Sequence, residues 1–141
     1  AEIWVSGSDQ NFTPAADFPK TIINPTYPYG VQQRRPDMAF ARAPLAFAVA
    51  IFPPETSLDQ LTNQTPIIWT RGLRPDGSWD EKLGVYGHRG GFVAFGDGRI
   101  VRFVGGINRG FVKFGTNEPT SSIIEALPPG ARISEFTPPK Q

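Results

Sequence analysis

Proline interrupts this chain so often that neither a long helix nor a long unbroken strand has room to form. Fifteen prolines and fifteen glycines stand among 141 residues. Proline fixes φ and lacks the N–H that helices and ladders require, while glycine favours turns. The spacing therefore predicts short strands, many turns and little helix. Eleven Phe, three Trp and three Tyr supply bulky apolar material, enough for one ordinary domain of this length to build a core without metal or disulfide staples. The expected architecture is α+β and strand-rich: a small antiparallel sheet with one or two short helices.

Within a single domain spanning 1–141, three stretches differ. Residues 1–44 carry prolines at Pro14, Pro19, Pro25 and Pro28, with Phe12, Phe18, Tyr27 and Tyr29 among them. Such a segment takes an irregular, extended path packed on the body. Its rings either pin it to the core or offer a surface to a neighbouring subunit or ligand. Residues 45–136 form the sheet-containing body, and 137–141 a tail.

Inside the body, residues 45–52 are apolar throughout and bracketed by Pro44, Pro53 and Pro54, which predicts a strand buried on both faces. Ser57 and Gln60 have capping-box spacing for a short helix around Leu58 and Leu61, closed by Thr65-Pro66. A strand over residues 66–70 follows from its β-branched and aromatic residues. Arg74-Pro75-Asp76-Gly77 reads as a turn. Residues 91–95 and 99–104 read as a hairpin joined by Gly96-Asp97-Gly98, with Arg99, Val101 and Phe103 on one face and Ile100, Arg102 and Val104 on the other. Residues 111–114 suit one more short strand. Ser122 and Glu125 repeat the capping-box spacing before a helix that Pro128-Pro129-Gly130 must end.

Composition also removes function classes. No cysteine is present, which excludes a disulfide framework, a zinc thiolate site and a thiol nucleophile. Fourteen Lys and Arg against thirteen Asp and Glu leave a net charge of +1, with no electrostatic case for nucleic acid. The longest apolar run falls far short of the roughly 20 residues of a membrane helix, and the start lacks signal-peptide character.

Three blocks, in order, carry a resemblance: Thr65-Pro66-Ile67-Ile68-Trp69-Thr70-Arg71-Gly72-Leu73, then Gly90-Gly91-Phe92-Val93-Ala94-Phe95-Gly96-Asp97-Gly98-Arg99, then Glu125-Ala126-Leu127-Pro128. Together they resemble the C-terminal part of bacterial prepilin-like proteins abundant in Verrucomicrobia, Planctomycetes and Lentisphaerae. That family's signature is a His, nine residues, then Asp-Gly; here His88 precedes Asp97-Gly98 by eight. The resemblance spans a little over half the chain. It implies the head of a pilin-like or pseudopilin subunit, extracytoplasmic and tethered to the membrane by an N-terminal helix that this sequence lacks through truncation or divergence. Partners implied are other pilin-like subunits or envelope proteins in a filament or type II secretion-like pseudopilus. In that setting His88, Gly90, Gly91, Asp97 and Gly98 form a structural motif, and Phe12, Phe18, Tyr27 and Tyr29 are interface candidates.

Site chemistry is sparse. His88 is the only histidine; paired with Asp97 it would be the centre of a small hydrolase, but no nucleophile motif accompanies it. A non-enzymatic role with no cofactor is the expectation. Asp76, Ser78, Asp80 and Glu81 gather oxygens in one loop and are calcium candidates, although the EF-hand pattern fails at its glycine and its last ligand. Glycines at Gly90, Gly91, Gly96 and Gly98 flank and join strands, so they do not make a nucleotide loop. An extracellular binding module for polysaccharide or an envelope partner, using an aromatic surface, is the alternative function.

Overall fold

The prolines and glycines set the element lengths. In the computed structural model, which describes residues 46–57, 61 and 64–135, no strand exceeds the six residues of β3. Among the described residues seven strands occur: β1 (Phe47–Ile51), β2 (Pro66–Thr70), β3 (Gly90–Phe95), β4 (Ile100–Val104), β5 (Phe111–Val112), β6 (Pro119–Thr120) and β7 (Arg132–Ser134). Helix is limited among the described residues to a 3₁₀ turn at Gly87–Arg89 and one α-helical turn, α1 (Ile123–Ala126). None of it is long and apolar enough to cross a membrane. The interface candidates Phe12, Phe18, Tyr27 and Tyr29 lie outside the described residues, as does most of the helix expected around Leu58.

Five strands form one antiparallel sheet in the order β4-β3-β2-β1-β7, and β5 pairs with β6 separately. Strands β1 to β4 are a simple meander, each beside its successor. Strand β7 returns to the free side of β1, pairing Ala50 with Ile133. Proline is tolerated at the start of β2 because the first strand residue need not donate to the ladder. The register shifts there, between Pro66 and Ile68. The β3–β4 hairpin pairs Gly90 with Val104 through Ala94 with Ile100. Its turn closes through Gly98 N–H to the Phe95 carbonyl at 2.9 Å and Phe95 N–H to the Arg99 carbonyl at 2.9 Å. Gly98 has φ of 84°, the left-handed conformation that this type of turn needs and glycine adopts freely.

One face of the sheet makes the core. Ala48 lies opposite Trp69 across β1 and β2, and the small side chain leaves room for the indole. Ala50, Val93 and Phe95 extend this face, with Val101, Phe103 and Ile133 packed at its margins. Beneath it lie Leu73 and Trp79 from the loop after β2, then Ile107, Phe111, Ile123, Ala126 and Leu127. Phe111 meets Phe95 and Phe103 edge-on, at ring-centroid distances of 6.2 and 5.8 Å. Each such buried ring contributes about 2–3 kcal/mol of apolar transfer. Arg71 is also fully buried, its Nε donating to the Leu83 carbonyl at 2.8 Å. The Trp79 Nε1–H has no hydrogen-bond partner among the described residues.

Two expectations need correction. The second capping box forms only in part: Ser122 Oγ accepts from Glu125 N–H at 3.4 Å, but the Glu125 carboxylate takes the Thr120 hydroxyl instead of reaching back. Thr120 in turn accepts from Ser122 N–H. Strand β1, expected to be buried on both faces, is buried on one: Ala48 and Ala50 face the core, Phe47 and Val49 are half-buried and Ile51 is exposed. The reason is that core-forming loops and α1 all gather on one side of the sheet.

Candidate functional site

Alternation along the strands sends every second residue to the side of the sheet away from the core. On that outer side the register aligns one residue from each strand: Ser134, Val49, Ile68, Ala94 and Ile100. Ile51, Phe92 and Val104 stand on the same side. Of the six exposed large hydrophobic residues among the described residues, five (Ile51, Ile68, Phe92, Ile100 and Val104) lie on this face. Ile100 and Val104 are 68% and 72% exposed. Single exposed apolar residues are ordinary; five on one face make it a candidate contact surface.

The charge on this face has one sign. The five strands contain no Asp or Glu, while Arg102 and Arg132 project outward from β4 and β7, opposite Phe92 and Ile51 respectively. At one end the surface deepens into a cleft of about 290 Å³ lined by Tyr86, Arg89, Gly90, Gly91, Phe92 and Arg102. The Tyr86 ring meets Phe92 edge-on at 6.0 Å, and the Arg102 guanidinium lies 6.0 Å from the centre of the Phe92 ring. Gly90 and Gly91 form the floor. Gly90 has φ of 109°, and a Cβ there would fall 2.0 Å from the Phe103 carbonyl oxygen. A Cβ on Gly91 would meet Thr70 Oγ1 and the Trp79 ring. Glycine is thus required at both positions for β3 to pass close to β4 and to Trp79. No ion pair among the described residues engages Arg89, Arg102 or Arg132.

The sequence-derived residues fall elsewhere or in parts. His88 is exposed in the 3₁₀ turn before β3, and Asp97 is exposed in the turn after it. Six residues of strand separate them, about 20 Å at roughly 3.3 Å per residue, so they do not meet. Asp97 accepts from Arg99 N–H at 3.0 Å and holds the hairpin turn. Gly90 and Gly98 have positive φ, and Gly90 and Gly91 lie hard against neighbouring backbone and side-chain atoms.

In the acidic loop Asp76 and Asp80 accept from the protein's own backbone N–H groups, a hydroxyl and a guanidinium. Asp76 Oδ1 accepts from Ser78 N–H at 2.9 Å and from the Ser78 hydroxyl at 2.6 Å, which lowers its pKa from the ordinary carboxylate value. Asp80 Oδ1 accepts from Lys82 and Leu83 N–H at 2.8 and 2.9 Å, and its Oδ2 meets Arg74 Nη2 at 2.7 Å. The Leu83 backbone N–H first, then Arg74, pull its pKa down to about 2. Glu81 is exposed beside them. Among the described residues no group of three or more His, Asp or Glu gathers in metal-binding geometry.

Sequence reasoning named Gly90 and Gly91 and put Ile100, Arg102 and Val104 on one strand face, but it missed the outer face and the cleft as a candidate site. One signal was present: in β4 both alternating sets are apolar, Val101 and Phe103 on one side, Ile100 and Val104 on the other. A strand so composed calls for cover on both faces. The convergence of Tyr86, Arg89 and Arg102 on Phe92 had no local signal.

The fold and this face define a small antiparallel-sheet domain with a single-sided core and an apolar, cationic outer surface. No family model, curated protein or solved structure matches the chain.

Proposed function

We propose that this protein is a non-enzymatic, pilin-like subunit head that acts outside the cytoplasm by packing into an envelope filament or a type II secretion-like pseudopilus. The observation that carries the reading is the outer sheet face, where Ile51, Ile68, Phe92, Ile100 and Val104 stand exposed together. Leaving such a surface in water costs about 25 cal/mol per Å² relative to burial, so assembly through it is favourable. The resemblance of the β2, β3–β4 turn and α1 segments to prepilin-like heads supports the same role. A head of this kind needs a rigid body and a contact surface, and the five-stranded sheet with its exposed apolar face supports that reading.

The test is cellular. A photo-crosslinking residue at Ile100 in the native cell should join the protein to envelope partners, with the protein in the envelope fraction. The same probe at Asn117, an exposed loop position, should give no such product. A protein found wholly in the cytoplasm, or equal products from both positions, overturns the proposal.

A further inference from the structure

The geometry points to an amphipathic helix bearing acidic side chains as the occupant of the outer face, with one carboxylate seated in the cleft between Arg89 and Arg102. The inference rests on the reading of that face as an assembly surface, and it specifies the chemistry of what binds there.

Three observations carry it. A segment lying across the flat of a sheet receives no backbone hydrogen bonds from it, since the ladder bonds run in the sheet plane. The segment must therefore satisfy its own N–H and C=O groups, which a helix does. Strands spaced about 4.8 Å apart put β4 and β7 about 19 Å from each other, a span that roughly 13 helical residues cross.

Charge then narrows the partner. The five strands present Arg102 and Arg132 outward and no acid, and neither arginine has an ion-pair partner among the described residues. A second copy stacked by a two-fold axis on the same face would bring the arginines of both copies into one interface with no strand acid to offset them, and like charges select against it. Acidic residues flanking an apolar stripe complement the face in both respects.

The cleft supplies a specific seat. Arg89 and Arg102 line it together with the Tyr86 and Phe92 rings, over a floor of Gly90 and Gly91. A carboxylate entering there has guanidinium donors in charge-assisted hydrogen-bond reach. Because neither Arg89 nor Arg102 is held by a carboxylate of the described residues, no existing pair has to break.

The experiment titrates the full 141-residue chain with synthetic helical peptides of about 14 residues. All share one Leu/Ile stripe and differ only in carrying two Glu, two Gln or two Lys beside it. The Glu peptide should bind about tenfold more tightly than the Gln peptide, and the Lys peptide more weakly still. The double variant Arg89→Glu/Arg102→Glu should reverse the order in favour of the Lys peptide, and Ile100→Lys should abolish binding by all three. Both arginines are exposed, so the variants should melt with the parent protein.

Equal affinity for Glu and Gln peptides, no binding at all, or an unreversed order in the double variant overturns the inference. Concentration-dependent dimerisation abolished by Ile100→Lys would overturn it in favour of a second copy. Envelope crosslinking from Ile100 with no Glu preference would sink this inference while leaving the assembly role standing. Glu-selective binding by a cytoplasmic protein would do the reverse.

Discussion

Replacing Gly90 with alanine should be among the most damaging single-methyl changes in the domain. Gly90 opens β3 with φ of 109° and ψ of −158°, a region that only glycine occupies without strain. Forcing another residue into it costs on the order of 1–3 kcal/mol. The added Cβ would also lie 2.0 Å from the Phe103 carbonyl oxygen and 3.0 Å from Gly105 N. These are backbone atoms of the paired strand and its exit, so relief requires β3 and β4 to separate locally. Overpacking of this kind adds about 1–3 kcal/mol. A total of about 2–6 kcal/mol corresponds to a fall in Tm of roughly 8–24 °C, at about 4 °C per kcal/mol for a domain this size.

Gly98→Ala is the internal control. Gly98 also has positive φ, but nothing lies within 4 Å of its would-be Cβ. Only the conformational cost applies, about 1 kcal/mol and roughly 4 °C. Thermal melts followed by circular dichroism, with urea titrations for the free energies, compare the two variants. A Gly90→Ala protein that melts at or above the Gly98→Ala protein would refute the close-approach argument. It would mean that β3 and β4 do not meet as described.

Other outcomes follow from the same contacts. Gly98→Val should lower Tm by several degrees, because a β-branched residue fits positive φ worse than alanine does; an unchanged melt would place Gly98 outside that conformation. Arg71→Met should cost roughly 3 kcal/mol in a urea titration, since the half-buried Leu83 carbonyl loses its donor and the half-buried Glu135, whose pKa burial raises while Arg71 opposes the shift, loses a neighbouring cation. Asp80→Ala should lower Tm at pH 7. Because the folded pKa of about 2 lies below the ordinary carboxylate value of 3.8, the stability from Asp80 is present above about pH 4 and lost as pH falls through 2, so the gap between parent and variant should close over that window. His88→Ala should change stability by less than about 0.5 kcal/mol, since His88 is exposed in a surface turn.

Local chemistry made part of this fold legible. Strand β2 was readable from Ile67, Ile68, Trp69 and Thr70, whose β-branched and aromatic side chains suit a pleated surface. The β3–β4 hairpin was readable because Gly96-Asp97-Gly98 is a turn in its own right, whatever surrounds it. Pro128-Pro129-Gly130 ended α1 for the same reason. By contrast, β7 was not anticipated. Arg132, Ile133 and Ser134 have no strong strand character, and they become a strand because the open edge of β1 offers them hydrogen bonds.

The candidate site divides along the same line. Sequence by itself determined the short strands, the tight turns and the need for glycine beside the hairpin, since proline and glycine act on their own φ and ψ. It also singled out His88 and Asp97, which one strand then holds about 20 Å apart. Only the tertiary structure decided which face of each strand met the core, and with it the apolar row from Val49 to Ile100. It alone brought Tyr86, Arg89 and Arg102 around Phe92, because these positions meet through strand register and loop path. Register is set by packing the whole sheet over Trp79, Ile107 and Phe111, a cooperative choice that no short window of residues contains.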